Sequence, residues 1–182
     1  AGPDTQVGLF GMGVISPANT GILSGHTTAI QRLTEKPIFE TNHSRWTGRH
    51  VIPDIWLQEI NAGEMGGGYK WLIALTSIQE NIESEMEAID RLYNAIEPGS
   101  KGTNAHLIPP SINISDVNLR PGGFIFPVPL SFEPPTRETL GKATLESFAF
   151  TIRLNLDLLE SSHGPHQSIS IGGGLVKSKT FQ

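Results

Sequence analysis

Apolar residues recur with helical spacing most clearly over residues 137–160. They lie on one face of the predicted helix, and Glu138, Lys142 and Asp157 lie outside it. Thr136 follows two prolines and offers a side-chain oxygen at the N-cap position. The pattern predicts a long, half-buried helix whose apolar face consists of Leu140, Ala143, Leu145, Phe148, Ile152, Leu156 and Leu159.

Two more helices are predicted upstream. Residues 77–96 carry apolar and acidic positions at helical spacing and end at a Glu-Pro-Gly sequence, so we expect an amphipathic surface helix with a solvated acidic face. Before it, Gly66, Gly67 and Gly68 open a segment in which Trp71 and later apolar residues recur at helical steps. A glycine-rich helix start gathers free N–H groups that bind anions, and it permits close packing on a sheet equally well.

The beginning of the chain predicts two apolar elements followed by a polar turn. Residues 7–12 are apolar and small, which predicts a buried strand or tightly packed segment after an acidic turn at Asp4. Residues 21–23 predict a second strand, and residues 24–28 predict a turn before a third strand. Glycine and consecutive hydroxyl groups in such a turn suit phosphate oxygens, although an ordinary threonine-rich β-turn has the same composition.

Shorter apolar runs predict the remaining strands. Residues 51–57 predict an edge strand, because Pro53 cannot donate a hydrogen bond within a central one. Residues 123–130 predict a strand interrupted by a proline, and residues 168–171 predict a strand that ends in a glycine turn at residues 172–174. This last arrangement is typical of nucleotide-binding folds, but it has neither the Rossmann nor the Walker spacing.

The composition fits an α/β protein of one domain. The chain has 182 residues, enough for a sizeable core, and residues 35–50 and 102–121 are predicted as loops. The formal charge of −5 argues against nucleic acid or an anionic membrane as partner, and no apolar run reaches the roughly 20 residues of a membrane span. Zero cysteines exclude thiolate metal sites and fit a cytoplasmic protein.

Two further features of the sequence concern a possible metal site and the boundaries of the domain. His163 and His166 have a spacing compatible with metal ligands, but no third ligand lies nearby in sequence, so we predict free solvent histidines and no metal site of protein residues. The chain begins without Met and with a segment that looks buried, which predicts a piece cut from a longer protein.

The sequence Gly-Pro-Asp-Thr-Gln at residues 2–6, followed by Leu-Phe-Gly-Met-Gly at residues 9–13, is its most distinctive segment. It resembles the Gly-Asp-Gln segment and its apolar sequel in the C-terminal domain of the FGGY carbohydrate kinases, the family of glycerol kinase and xylulokinase. There the aspartate is the catalytic base, so the resemblance implies that role for Asp4.

The polar turn continues the resemblance. Residues 24–28 are similar to the second phosphate turn of the family, which implies phosphate contacts from Gly25, His26, Thr27 and Thr28. His26 stands where the family has a threonine hydroxyl, so this chain departs from the pattern at that contact.

Two looser matches follow in the same order. Gly66 and Lys70 occupy the places of a glycine and a glutamine that approach the nucleotide in glycerol kinase, and Lys70 is a departure. Gly173 and Gly174, with Ser178, resemble the adenosine motif, which implies that the Gly174 backbone and the Ser178 side chain line the adenine and ribose pocket.

One signature matches and one residue of the family does not. Residues 123–149 resemble the second family signature, whose role is mainly structural. An arginine that the family commonly carries in the preceding loop has no match in residues 111–121.

The resemblance implies a ribonuclease H-like α/β fold, shared by actin, sugar kinases and Hsp70 ATPases, with a mixed sheet flanked by helices over residues 1–182. It implies ATP-dependent phosphorylation of a sugar or polyol hydroxyl with Mg²⁺, this chain supplying the ATP-binding half and the catalytic base. The family's N-terminal sugar-binding domain and a further C-terminal stretch are missing, so the isolated chain is expected to be inactive. Many relatives form dimers, whereas the sugar and the oligomeric state are not readable from this sequence.

Two other functional classes stay open. A relative that has lost turnover and senses a sugar or nucleotide is permitted by His26 and by the unmatched arginine. An actin-like ATPase or assembly module without a sugar substrate shares the superfamily fold, although the Asp4 segment favours a sugar kinase.

Overall fold

The structure is a computed structural model that describes residues 3–41, 45–76, 90–112 and 120–182. Its centre is a five-stranded sheet made of β1 (Asn19–Ser24), β2 (Thr28–Thr34), β3 (Trp46–Arg49), β4 (Trp56–Asn61) and β7 (Ser168–Gly173). The strands lie in the order β3-β4-β2-β1-β7. All neighbouring pairs are antiparallel except β1 and β7, which run parallel, so the sheet is mixed.

Helices cover both faces of the sheet. The helices with bounds are α1 (Asp4–Gly11), α2 (Met65–Thr76) and α3 (Arg137–His163), and residues 90–94 are helical as well. Short 3-10 turns lie at Ser100–Gly102 and Leu175–Lys177, and a separate two-stranded sheet pairs β5 (Asn104–His106) with β6 (Gly123–Ile125). In the described ranges no helix combines the length and apolarity needed to cross a bilayer.

Each face of the sheet has its own hydrophobic core. On one face, residues of β1, β2 and β4 pack against α2 and α3, around Ile30, Tyr69 and Phe148. On the other face, α1 packs against the sheet through Leu9, and a β-carbon on Gly21 of β1 would lie only 2.1 Å from that leucine. Gly21 therefore sets how closely α1 approaches β1.

The long helix predicted over residues 137–160 is confirmed and extends to His163. Its N-terminus carries a reciprocal capping box, in which Thr136 accepts from the Thr139 backbone N–H and Thr139 accepts from the Thr136 backbone N–H. The helix ends at Gly164, whose φ of +75° favours glycine. The predicted hairpin around residues 24–28 and the helix that opens at the glycines are confirmed as β1-β2 and α2.

Of the two structures predicted for residues 7–12, the buried strand is wrong, because residues 7–11 lie in α1. Only Leu9 of the helix is buried, and Val7 and Phe10 are 47% and 54% exposed. A short apolar run has no period long enough to separate a strand from a helix that buries one side chain.

The predicted strand at residues 51–57 is also misplaced. Pro53 lies in the turn before β4, which begins at Trp56 and pairs on both sides, so β4 is central and β3 forms the edge. Strands β3 and β5 occur where loops were predicted, and β6 is shorter than the predicted strand at residues 123–130. Of the helix predicted at residues 77–96, residues 77–89 lie outside the described residues.

The prediction of free solvent histidines at 163 and 166 is wrong. His166 Nδ1 lies 2.8 Å from the Thr20 hydroxyl, and its Nε2 lies 3.0 Å from the Leu156 carbonyl oxygen. His163 Nε2 bonds to the Gln58 side-chain oxygen. Both rings thus tie the end of α3 to the sheet, a contact between positions far apart in sequence.

Candidate functional site

The turn between β1 and β2 is closed by its own backbone and is exposed at its tip. The Gly25 N–H donates to the Thr27 carbonyl oxygen at 2.9 Å, and Gly25 and His26 are exposed. At its base, the Thr28 N–H donates to Gly63 at 2.9 Å and the Thr28 carbonyl accepts from Ala62 at 2.8 Å. The tip is therefore presented to solvent from a fixed base.

The first turn of α2 packs directly on this tip. A β-carbon on Gly66 would lie 2.1 Å from the Gly25 carbonyl oxygen, closer than any side chain allows. The Gly67 N–H donates to the His26 carbonyl at 3.2 Å. Glycine at the start of α2 is thus required for close packing. This was one of the two roles that the glycine-rich sequence predicted, the other being anion binding.

The glycine turn at the end of β7 contacts the β1-β2 turn at Ser24. The parallel pairing of β1 and β7 sets Gly173 opposite Ser24, and the Gly174 N–H donates to the Ser24 carbonyl at 2.7 Å. Gly173 has φ +105°, and a β-carbon there would lie 2.1 Å from that carbonyl oxygen. Gly174 has more room, because a β-carbon there would lie 3.9 Å from the Ser24 carbonyl oxygen.

Glycine segments from two other parts of the chain therefore contact the turn at residues 24–28. We call the three segments together the glycine cradle: the turn at Gly25, the start of α2 at Gly66 and Gly67, and the turn at Gly173 and Gly174. The hydroxyls of Ser24 and Thr28, both fully buried, have no hydrogen-bond partner among the described residues. Unpaired buried hydroxyls beside close-packed glycine backbone suit an anionic ligand such as a phosphate group.

Lys70 lies one helical turn after Gly66, on the same side of α2, and its side chain is exposed. The resemblance places Lys70 where the family has a glutamine that approaches the nucleotide, and in α2 it follows Gly66 by one helical turn. Burial raises the pKa of Tyr69 beside it, with Tyr93 and Asp90 adding to the effect, so the phenol stays neutral.

Ser178 is engaged by a residue that the sequence analysis did not select. Its hydroxyl donates to Asp90 Oδ1, and Asp90 Oδ2 accepts from the Lys179 N–H at 2.9 Å. The Thr180 hydroxyl donates to the Asp90 carbonyl at 2.8 Å. Asp90 therefore holds the segment after Gly174 in place. The prediction that it belongs to a solvated acidic face is wrong, because its position in an acidic run gave no sign of these contacts.

Asp4 lies in the first turn of α1 and is exposed. Its carboxylate accepts from the Thr5 N–H at 2.8 Å. Helix α1 packs on the sheet face opposite α2, so the described contacts do not join Asp4 to the glycine cradle. Its predicted role as a base stays a prediction.

A cavity of about 240 Å³ lies away from these residues, between β5 and α3. It is lined by polar and apolar groups, including His106, Glu146 and Phe150. None of the residues predicted for the site lines it, and the Glu146 carboxylate already accepts from the Gly99 N–H and the Ser100 hydroxyl.

Curated proteins that resemble the chain are kinases. It is 30% identical over 181 residues to a Bacillus subtilis protein described as a sugar kinase, YoaC, a match that covers 99% of this chain and 36% of that protein. It is 27% identical to the autoinducer-2 kinase of Photorhabdus laumondii, covering 95% of this chain and 34% of that protein. The chain thus spans about a third of the length of these relatives. No protein-family model matches it.

Solved structures give the same fold. The xylulose kinase of Rhodospirillum rubrum superposes with a TM-score of 0.80 at 18% identity, covering 98% of this chain and 34% of that one. The ADP complex of Plasmodium falciparum glycerol kinase superposes with a TM-score of 0.77 at 18% identity, covering 98% and 35%. The chain is thus similar in sequence to curated kinases and similar in fold to xylulose and glycerol kinases.

The fold predicted from the FGGY resemblance is thereby confirmed as the ribonuclease H-like sheet shared by actin and the sugar kinases. The parallel β1-β7 pair, with the cradle at its carboxyl end, lies where α/β folds commonly bind ligands.

Proposed function

We propose that this chain is the nucleotide-binding, C-terminal domain of an ATP-dependent carbohydrate kinase and that it carries the catalytic base of the reaction. The observation that supports this most is the glycine cradle, where Gly66 and Gly173 would each place a β-carbon 2.1 Å from a carbonyl oxygen of the turn. Such packing leaves backbone, rather than side chains, facing a ligand at the tip.

The phosphate groups of the nucleotide would lie against Gly25, His26, Thr27 and Thr28. The unpaired Ser24 and Thr28 hydroxyls fit this assignment, since each lacks a partner among the described residues. Lys70 adds positive charge from the next turn of α2. When bound, ATP supplies the phosphoryl group, and the chain's part is to hold it in line and balance its charge.

Mg²⁺ would enter with the nucleotide. In the described part of the chain, no group of three or more His, Cys, Asp or Glu residues is placed to hold a metal ion. Mg²⁺ commonly keeps several waters and binds through substrate phosphates with few protein ligands, so the proposal needs no dedicated protein cage.

The adenosine end would lie along the segment from Gly173 and Gly174 to Ser178. The Asp90 contacts support this indirectly, because they hold the segment after Gly174 in one conformation. Ser178 then contributes mainly by positioning the segment, since its hydroxyl already donates to Asp90.

Asp4 would accept the proton of the attacking sugar or polyol hydroxyl. A carboxylate is a suitable acceptor for a proton that leaves late in phosphoryl transfer, and such help contributes roughly 10²–10⁴-fold in rate. Its exposure at the start of α1 leaves it accessible to a substrate held by a second domain.

The sugar or polyol would be bound chiefly by a second, N-terminal domain. The relatives that this chain matches are about three times longer than the match, which leaves room for such a domain. Solved structures with this fold include xylulose, glycerol and gluconate kinases, so a sugar or polyol is the substrate class proposed. A cytoplasmic location and a homodimer are proposed on the same family grounds.

A coupled assay of ATP consumption with a panel of ketoses and polyols tests the reaction, in a protein of the relatives' full length that contains this segment. We expect turnover that depends on one of the sugars and falls at least 10²-fold in Asp4→Asn, with nucleotide affinity unchanged within a few-fold. No turnover with any sugar would favour a sensor, and sugar-independent hydrolysis would favour an actin-like ATPase. Unchanged turnover in Asp4→Asn would show that Asp4 is not the catalytic base.

A further inference from the structure

The cavity beside β5 has one face of α3 as a wall. Ser147 and Thr151 of the helix line the cavity, whereas their sequence neighbours Phe148 and Ile152 belong to the core that also contains α2. Residues 103–106, which include β5, form the other wall. Helix α3 therefore lies between this cavity and the core under the glycine cradle.

Two side chains of α3 hold the walls of this cavity together. Asn155 is 0% exposed, and its Nδ2 donates to the Pro110 carbonyl at 2.7 Å and to the Thr151 carbonyl at 2.8 Å. Pro110 and Thr151 both line the cavity. The Glu146 carboxylate accepts from the Gly99 N–H at 2.9 Å, in the turn before β5. The cavity is thus fixed by the fold, as small-molecule sites usually are.

Polar groups of the lining retain capacity for hydrogen bonds. The Ser147 hydroxyl and the His106 ring make no hydrogen bond to another described residue. The Thr151 hydroxyl donates to the Ser147 carbonyl at 2.9 Å and keeps lone pairs that can accept. Asn155 Oδ1, one helical turn later, is buried and lacks a partner in the described part of the chain. This wall suits a ligand that both donates and accepts hydrogen bonds.

The charge, the apolar groups and the size of the cavity narrow the ligand further. Glu146 is acidic, and no lysine or arginine of the described chain lines the cavity, so an anionic ligand would have no balancing cation there. Phe150 and Leu154, four positions apart on α3, are 71% and 45% exposed and give the cavity an apolar side. Its volume of about 240 Å³ is below the roughly 300–1,000 Å³ of pockets for drug-sized ligands.

We propose that this cavity binds a small, uncharged polyhydroxy compound, either a polyol or an unphosphorylated sugar. Hydroxyl groups of the ligand bond to Ser147, Thr151 and His106, and its C–H groups pack on Phe150. Neither Asp4 nor any glycine of the cradle lines the cavity, so this site is separate from the proposed nucleotide site. The inference does not depend on nucleotide binding, and either proposal can fail without the other.

An NMR titration of the ¹⁵N-labelled chain with ribitol, xylitol and xylose tests the site. Ribitol 5-phosphate is the matched charged probe. We expect saturable shifts of the amide signals of residues 103–106 and 143–154 with at least one uncharged compound. The phosphate should bind at least tenfold more weakly than ribitol, because Glu146 repels it and no cation compensates.

Three variants locate the binding. Ser147→Leu fills the cavity, and Thr151→Val removes a hydroxyl while keeping the shape of the side chain. Ser161→Leu is the matched control, because it makes the same change at an exposed serine of α3 that does not line the cavity. We expect binding to weaken at least tenfold in Ser147→Leu and about three- to tenfold in Thr151→Val, as for the loss of one hydrogen bond. The control should stay within twofold of wild type.

The contrary outcomes are distinct. No saturable shift with any of the three uncharged compounds would overturn the inference, and so would binding that is equal in wild type and Thr151→Val. Thermal unfolding checks that each variant is folded, and Thr151→Val alone decides if Ser147→Leu is not. Binding that is lost in Asp4→Asn but kept in both cavity variants would place the polyol at the proposed catalytic base and overturn the inference.

Discussion

Gly66 of α2 packs against the backbone of Gly25 in the β1-β2 turn, and a β-carbon on Gly66 would lie only 2.1 Å from the Gly25 carbonyl oxygen. Backbone stands on both sides of this contact, so neither partner can rotate out of the way. The position of the turn and the position of the helix are consequently set together, and the geometry of the proposed phosphate site depends on both.

Gly66→Ala should therefore destabilise the chain, by about 1–3 kcal/mol as for other overpacked sites. Gly68→Ala is the control: it lies in the same helix, its β-carbon has ordinary contacts, and replacing a helical glycine by alanine stabilises by roughly 0.5–1 kcal/mol. Urea unfolding followed by circular dichroism measures both. Equal midpoints for the two variants would show that α2 does not pack on the turn as described.

Arg32 holds the end of α3 against the sheet. It is 2% exposed, and its guanidinium donates to the carbonyls of His163, Gly164 and Pro165 at 2.8–3.1 Å. Arg32→Met should cost about 2–4 kcal/mol, because it removes the three hydrogen bonds that a buried guanidinium donates to the end of α3. Arg153 is the contrast, since its ion pair with Asp157 is exposed. Arg153→Met should leave the unfolding midpoint close to that of wild type, because exposed ion pairs contribute little. Thermal or urea unfolding in which Arg153→Met is as destabilising as Arg32→Met would contradict the prediction.

His163, beside Arg32, makes stability depend on pH. Arg32 Nη1 also lies 3.1 Å from His166 Nδ1, and His166 Nε2 lies 3.0 Å from the Leu156 carbonyl oxygen, so both histidines belong to the contacts around this guanidinium. Burial lowers the pKa of His163, and the charges of Arg32 and Arg45 lower it further.

Because the folded pKa of His163 lies below the ordinary value of 6.5, the unfolded chain binds more protons in that range. Its contribution to stability is complete above pH 6.5 and declines as pH falls towards and through the folded value. His163→Gln keeps a polar group facing Gln58 and removes the titration. Urea midpoints measured from pH 8 to pH 5 should fall less steeply in this variant than in wild type, and identical slopes would contradict the prediction.

Ser178 and Asp90 provide a test of how the end of the chain is fixed. Ser178 is 8% exposed, and its hydroxyl also accepts from the Phe181 N–H at 3.1 Å. Ser178→Ala should destabilise by about 1–2 kcal/mol and speed proteolysis of the segment after Gly174. Ser161→Ala, at an exposed hydroxyl that donates within α3, should leave both unchanged. Limited proteolysis with mass spectrometry measures the cleavage sites.

Local patterns predicted the elements that define the cradle. The hairpin, the glycine start of α2 and the strand before Gly173 each have a sequence signal of their own, and α3 has a clear helical period. Helix α1 was missed because it buries one side chain, Leu9, and strand β3 because none of its residues is buried.

The contacts between distant positions could not be predicted. Asp90 and Ser178 are 88 positions apart, and Arg32 meets residues of the α3 end more than 130 positions away. Neither pairing leaves a periodic trace in the sequence, so Asp90 was assigned to a solvated face and the histidines to solvent. The site residues were predicted from resemblance. Close packing at the α2 glycines was one of two interpretations of their sequence, whereas the backbone groups that Gly66, Gly67 and Gly173 contact are distant in sequence and could not be predicted.

If this chain contains a nucleotide site at the glycine cradle, it should bind MgADP by itself, and a calorimetric titration of the wild-type chain and Gly174→Val measures this. Gly174 has helical backbone angles and its β-carbon would have 3.9 Å to the nearest atom, so valine should leave the fold intact while filling space beside the turn. We predict saturable wild-type binding, weakened at least tenfold by Gly174→Val with an unchanged Tm. No binding by the wild-type chain up to millimolar MgADP, or equal binding by the two proteins, would contradict the claim.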